Sequence, residues 1–265
     1  MATLLHTSLA AVPLIVCIAL ARTFLRKKVP PQVFVALWAL TMCRLLIPVW
    51  VPMGGEKAKP VLNHVYGGLY NLTHQADALA GGWVIFVIWA LGAAAVLCYE
   101  LSNHFSARRK WSAVLPLDDP TAEEWLTQHP CRQHIRVVKS QGTAVPFCTG
   151  IFRPLIVLPY GIEQETPRAL GQILAHEQAH IRGFHQLFRY LLLAVRSIHW
   201  FNPLAWLLSA LFLRDMELAA DDAALRLLGR GEAKSYAKLL LNMEEKTSEQ
   251  RIVSAWGAPS LERCV

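Results

Sequence analysis

Long uncharged apolar runs constrain this chain more than any other feature. Residues 1–21 carry no charge and are followed by the basic group Arg22, Arg26, Lys27 and Lys28. Residues 33–53 are interrupted only by Arg44, and residues 78–99 are again free of charge before Arg108-Arg109-Lys110. About twenty apolar residues in helical form match a hydrocarbon core roughly 30 Å thick, so spans are expected at about 4–25, 33–53 and 78–99. A cleaved signal peptide carries its positive charge before the apolar run, not after it. Both basic clusters fall on one side of this arrangement, which places the N-terminus outside and the clusters in the cytoplasm. The segment 54–81, broken by Gly54-Gly55 and Gly67-Gly68, reads as an external loop.

Composition sharpens the division. Residues 1–101 hold 7 Lys+Arg and 3 Asp+Glu, whereas residues 102–265 hold 19 and 16. The first part is a transmembrane region and the second a cytoplasmic domain large enough for its own core. With 54% hydrophobic and 17% charged residues overall, disorder, a collagenous fibre and an ordinary cytosolic enzyme are excluded. The net charge of +7 is concentrated beside apolar runs, where it orients spans, and direct nucleic-acid binding is not expected. The six cysteines show no Cys-x-x-Cys spacing, so neither a disulfide framework nor a zinc ribbon is indicated.

The cytoplasmic part mixes both kinds of element. Asp119 before Pro120 reads as a cap for a short helix ending near His129-Pro130. Three β-prone runs, 135–139, 145–149 and 155–158, suggest a small sheet. Thr166-Pro167 starts a helix that Gly183 stops. A long apolar stretch, 186–213, is broken at Asn202-Pro203. A helical pattern then runs from Pro203 to Gly229, and residues 232–246 read as a last amphipathic helix.

The helix beginning at Pro167 carries His176-Glu177-Gln178-Ala179-His180. Histidines at i and i+4 lie one turn apart on one face, so both imidazoles reach a single Zn²⁺. Glu177 between them is placed to take a proton from metal-activated water. Two surface histidines on an amphipathic helix would look the same. A zinc hydrolase also needs a third protein ligand and one open position. Downstream, Glu217 and Asp221 share a helix face, which suits one carboxylate ligand and one carboxylate that orients a ligating histidine. A solvated acidic patch with Asp215 and Asp222 is the competing reading.

The pairing of His-Glu-x-x-His with Glu-x-x-x-Asp resembles the gluzincin metallopeptidases. The wider context resembles the integral-membrane antirepressor peptidases of the BlaR/MecR type. The matching pieces include Arg44-Leu45-Leu46-Ile47-Pro48, Gly150-Ile151-Phe152-Arg153-Pro154, His199-Trp200-Phe201-Asn202-Pro203 and Glu217-Leu218-Ala219-Ala220-Asp221-Asp222. The resemblance implies His176, His180 and Glu217 as zinc ligands, Glu177 as general base and Asp221 as the residue hydrogen-bonded behind a ligand. It implies a mainly α membrane protein: three transmembrane helices, a cytoplasmic α+β zincin-like metallopeptidase domain and a membrane-associated helical hairpin. The activity implied is zinc-dependent cleavage of a cytoplasmic protein, a transcriptional repressor or the peptidase itself, in a signalling pathway of the bacterial inner membrane. The family commonly carries an aspartate where this chain has His185. The chain stops at Val265 without a fourth span or a penicillin-binding sensor domain, so a separate sensor protein is an expected partner beside substrate and bilayer. A housekeeping membrane peptidase of the HtpX or CAAX-protease type, and a non-catalytic membrane scaffold, are the alternative readings.

Three further expectations follow from the residues. Phe152, Arg153, Leu155 and Ile156 are expected on an exposed sheet edge that pairs with an extended substrate, because Pro154 and Pro159 restrict pairing there. His199, Asn202 and Tyr236 are candidate oxyanion donors, with structural roles at a helix break or core as the alternative. The apolar stretch 186–213 is expected to re-enter rather than cross, since a single crossing would separate His180 from Glu217 by the bilayer. From Phe184 to Asn202 is 18 residues, about 27 Å of helix, and from Asn202 to Glu217 is 15, about 22 Å. Matched arms bring Glu217 back to the level of the metal helix, leaving three crossings rather than four.

Overall fold

The computed structural model describes residues 2–47, 82–110, 114–117, 119–143 and 145–255. The expected loop 54–81, the end of the second span at 48–53 and the start of the third at 78–81 lie outside the described residues. The chain divides into two compact units. One comprises Met1–His104 with Leu187–Ala219, and the other Phe105–Gln186 with Ala220–Val265.

In the first unit, helices α1 (Ala2–Ala10) and α2 (Val12–Leu25) form a near-continuous helical run. The backbone stays helical through Ala11, and Pro13, which has no N–H to donate, sits at the start of α2. Helix α3 (Pro31–Leu46) starts on a proline and stops at Ile47, whose extended conformation is the one favoured before Pro48. Its 16 residues make about 24 Å of helix, shorter than the run expected at 33–53. Helix α4 (Gly82–Lys110) is longer than the expected third span. Among the described residues two helices, Thr7–Leu25 and Trp83–Ser106, are long and apolar enough to cross a membrane, and α3 is a shorter apolar helix. Along α4 the residues Trp83, Phe86, Ile88 and Leu91 are all exposed, a surface that lipid rather than water suits.

The stretch 186–213 folds back on these helices as α7 (His185–Ile198) and the first half of α8 (Pro203–Leu228). Asn202 makes the reversal: its side-chain oxygen accepts from Leu204 N at 2.9 Å, capping α8, while Pro203 takes the first helical position. Its amide donates to Ser8 Oγ at 2.7 Å. Ile15 and Ile18 of α2, Phe34, Trp38 and Met42 of α3, Leu192 and Val195 of α7, and Leu208, Phe212 and Met216 of α8 enclose one core. Trp89 and Trp200 tie α4 to the hairpin tip: Trp89 Nε1 donates to Ile198 O at 2.9 Å and Trp200 Nε1 to Trp89 O at 3.2 Å. A Cβ at Gly92 would stand 2.3 Å from the Trp200 ring, so only glycine allows this approach.

The second unit is built on a four-stranded sheet of order β1-β2-β4-β3, with β1 (Val114–Pro116), β2 (Arg136–Ser140), β3 (Phe147–Thr149) and β4 (Leu155–Pro159). β2 and β4 are parallel, and the outer pairs are antiparallel. Helix α5 (Pro120–Gln128) has the anticipated cap, Thr121 N donating to Asp119 Oδ1 at 2.8 Å. Ile156 and Leu158 of β4 pack with Leu170, Ile173 and Leu174 of α6 (Pro167–Arg182) and with Ala122 of α5. Helix α9 (Ala233–Ala255) follows a positive-φ Gly229 and a short 3₁₀ turn, and extends beyond the range anticipated at 232–246.

The expected substrate edge is corrected here. β4 is an interior strand, paired with β2 on one side and β3 on the other. Leu155 and Ile156 are therefore engaged in the sheet, and Ile156, Val157 and Leu158 are fully buried, the continuous apolar pattern of a covered central strand. Pro154 and Pro159 misled because they bound the strand instead of interrupting its ladder. Phe152 and Arg153 lie outside it, in the connection after Gly150, with Phe152 89% exposed. The sheet edge that packs against α6 is β3.

Candidate metal centre

Helix α6 begins where its sequence says it should. Thr166 Oγ1 accepts from Ala169 N at 3.2 Å and Pro167 takes the first helical position. The helix closes on Gly183, whose N–H reaches Ala179 O at 2.9 Å. Nearly all of α6 from Leu170 to Ile181 is buried, so its histidines stand on a rigid element.

Spacing of one turn turns the two imidazoles toward each other. Their Nε2 atoms lie 3.0 Å apart, with ring planes at 76°. Each Nδ1 has its own partner. His176 Nδ1 is 2.8 Å from Tyr236 Oη and 3.1 Å from Asp221 Oδ1. Tyr236, almost wholly buried on α9, donates to Asp221 Oδ1 at 2.8 Å. His180 Nδ1 is 2.6 Å from His185 Nδ1. Glu177, between the two histidines in sequence, is buried.

Asp221 and Glu217 both belong to α8, one turn apart. Glu217 Oε1 accepts from Arg189 Nη2 at 3.1 Å, and both side chains are about half exposed, at 47% and 50%. Of the three oxyanion candidates, His199 and Asn202 have structural partners. His199 Nε2 lies 3.2 Å from Leu45 O, and Asn202 caps α8. Tyr236 is committed to Asp221 and His176. The sequence reading missed this pairing of Tyr236, and also that of His185. The signal for the first was present: Arg168, Gln172 and His176 form an i, i+4, i+8 stripe. They meet Glu232, Ser235 and Tyr236, at the turn before α9 and in its first residues, in that order.

The donor set passes a test of fit for zinc. Two nitrogens bound to one tetrahedral zinc at 2.0–2.1 Å stand about 3.3 Å apart, close to the 3.0 Å between the two Nε2 atoms. A hydrogen-bonding group stands behind each Nδ1 and both Nε2 atoms turn to one point, where protons held on the Nδ1 atoms would leave two lone pairs for a cation.

A helix holding paired histidines around a glutamate is the signature of metallopeptidases. A family profile described as BlaR1 peptidase M56 matches residues 2–263, and the chain belongs to that family. Among curated proteins it is similar to the regulatory protein BlaR1 of Bacillus licheniformis, 29% identical over 173 residues, which is 62% of this chain and 28% of that protein. It is also similar to the methicillin resistance mecR1 protein of Staphylococcus aureus, 27% identical over 111 residues, 42% of this chain and 19% of that protein. The chain therefore spans less than a third of the length of either relative.

Proposed function

We propose that this chain is a membrane-embedded zinc endopeptidase that cleaves a cytoplasmic protein during signal transduction. The observation that carries the reading is the facing pair of Nε2 atoms with both Nδ1 atoms engaged from behind. His176 and His180 hold the zinc. Glu217 is the third ligand, standing four residues, about 6 Å of helix, before Asp221, whose carboxylate is at hydrogen-bonding distance from His176. Zinc supplies Lewis acidity at this position when bound. Glu177 is the general base. As a water oxygen bonds to the peptide carbonyl carbon, its proton passes to the Glu177 carboxylate. The same carboxyl returns the proton to the amide nitrogen as the C–N bond breaks, with no covalent intermediate. Asp221 and Tyr236 fix the His176 tautomer so that Nε2 keeps its lone pair.

The names of the relatives, a regulatory protein and a methicillin resistance protein, support a place in regulation for this chain. By family resemblance the substrate is a transcriptional repressor, the peptidase itself, or both. The exposed apolar face of α4 supports a bilayer as its surroundings, here the inner membrane of a bacterium with the N-terminus outside and the active site in the cytoplasm.

The test is metal content and turnover of the full chain purified in detergent. Wild type should hold about one zinc per chain. His176→Ala, His180→Ala and Glu217→Ala should lose the zinc, while Glu177→Ala should keep it and lose peptide hydrolysis. An active Glu177→Ala variant overturns the mechanism, and a wild type that takes up no zinc overturns the reading as a whole.

A further inference from the structure

We propose that His185 is a positioning residue for the metal ligand His180: a neutral imidazole that accepts the Nδ1 proton of His180 and commits its Nε2 to the zinc. This inference rests on the reading of His176 and His180 as zinc ligands.

The backbone is shaped to make the contact. Helix α6 ends at Arg182 and α7 begins at His185, leaving only Gly183 and Phe184 to reverse the chain. Phe184 takes a left-handed conformation, φ +52°, the only positive φ of a non-glycine residue among the described residues. A bulky side chain in that region costs about 1 kcal/mol or more and persists only where the surroundings impose it. Gly183 has an ordinary φ of −80°, so its lack of a side chain serves space rather than conformation. A Cβ there would stand 2.5 Å from His185 Nε2 and 2.7 Å from its Cδ2. Both irregularities fold the imidazole of His185 back beneath His180, where it is 95% buried, its ring at 77° to that of His180 and the Nδ1 atoms 2.6 Å apart.

One proton lies between those two nitrogens, and its owner decides what His180 can do. If His180 Nδ1 carries it, Nε2 is a lone pair beside the lone pair of His176. If His185 carries it, His180 is protonated on Nε2, faces His176 as a donor and cannot bind a metal. The first arrangement requires His185 to be the other tautomer, protonated on Nε2. A carboxylate at this position would accept the same proton with a full negative charge. The imidazole does so without one, and the buried end of α6 is spared a charge.

The experiment measures zinc affinity by chelator competition, and the electronic spectrum of the cobalt-substituted chain, on full-length protein in detergent. His185→Leu fills the space and removes the acceptor. His185→Asn places an amide oxygen near the position of Nδ1. Loss of the acceptor should weaken zinc binding by about tenfold or more, with the asparagine variant within about threefold of wild type and the cobalt spectrum altered only in the leucine variant. Leucine and wild-type chains with equal affinity and identical cobalt spectra overturn this inference and leave the zinc reading standing. An asparagine variant that loses zinc as completely as His180→Ala overturns it too, even where the leucine variant does not fold. Failure of the wild type itself to take up zinc removes both readings together.

Discussion

Arg22 and Asp215, 193 positions apart in sequence, form a buried ion pair in which Arg22 Nε donates to both carboxylate oxygens, at 2.7 and 2.9 Å. Trp38 Nε1 donates to Oδ2 of the same aspartate at 2.8 Å. Three helices, α2, α3 and α8, are therefore fixed in register at one buried carboxylate. Asp215 stands two residues before Glu217 and six before Asp221 on a single helix. The polar contact that orders the apolar helices thus lies on the element that carries the proposed third ligand.

Removing one partner of this pair should be far worse than removing both. Asp215→Ala leaves the Arg22 guanidinium buried without its carboxylate and should cost about 3–5 kcal/mol. The double variant Arg22→Leu, Asp215→Leu should recover much of that loss, because neither charge then needs compensation. Reversible unfolding in detergent, read as a double-mutant cycle, measures the difference. Equal destabilisation by the single and double variants would show that the pair does not hold the helices.

Tyr236 carries its effect through His176. Tyr236→Phe keeps the buried ring and deletes the hydroxyl that lies 2.8 Å from both His176 Nδ1 and Asp221 Oδ1. Zinc affinity should fall by about tenfold, within the range found for partners behind metal ligands, while the fold is kept. Asp221→Ala should fall at least as far, since it removes the charged member of the same contact. A phenylalanine variant with unchanged zinc affinity would reduce Tyr236 to a packing residue.

Much of this arrangement was legible in local sequence, and the exceptions share one cause. Thr166-Pro167 and Gly183 bound α6, Asp119 caps α5 and Asn202-Pro203 reverses the hairpin, because caps and prolines act within a turn of where they stand. The i, i+4 histidines needed only the helix period. β4 was misread because its place in the sheet depends on β2 and β3, and flanking prolines describe its ends, not its neighbours. The partnership of His185 with His180 was hidden for a different reason: it requires a positive φ at Phe184, which no local preference of phenylalanine announces. Arg22 with Asp215 is a pure long-range pairing, visible beforehand only as the first member of a basic group after an apolar run and one member of an acidic patch.

Acid should loosen the contact between α6 and the short 3₁₀ turn before α9 at a defined place. Arg168 donates to Glu232 through Nε and Nη2, at 2.7 and 2.8 Å, and this hydrogen bonding holds the Glu232 carboxyl below its ordinary value of 4.5. A carboxyl with a depressed folded pKa contributes stability that is present above its unfolded pKa and lost as pH falls through the folded one. Thermal stability should accordingly gain an acid-side decline below about pH 4.5 that Glu232→Gln lacks. Because both groups are partly exposed, the difference should be small and should shrink further in high salt. Identical pH profiles for wild type and Glu232→Gln would exclude this contribution.

Hairpin depth gives the final prediction. Asn202 bonds Ser8 near the start of the first apolar run, and Asp215 bonds Arg22 at its end. The intervals are 13 and 14 residues, each about 20 Å of helix, so the start of α8 runs beside α1 and α2 over most of the hydrocarbon thickness. In the proposed topology an element that travels this far and reverses at Asn202 would re-enter from the cytoplasm without adding a crossing. In a cysteine-free background, Lys246→Cys should be inaccessible to an impermeant thiol reagent added outside intact cells, and accessible after the membrane is opened. Phe201→Cys, at the tip, should react from outside more readily than a cysteine at Leu213 on the returning arm. Labelling of position 246 from outside would mean that the stretch 186–213 crosses the membrane, separating His180 from Glu217, and the zinc site would fall with the topology.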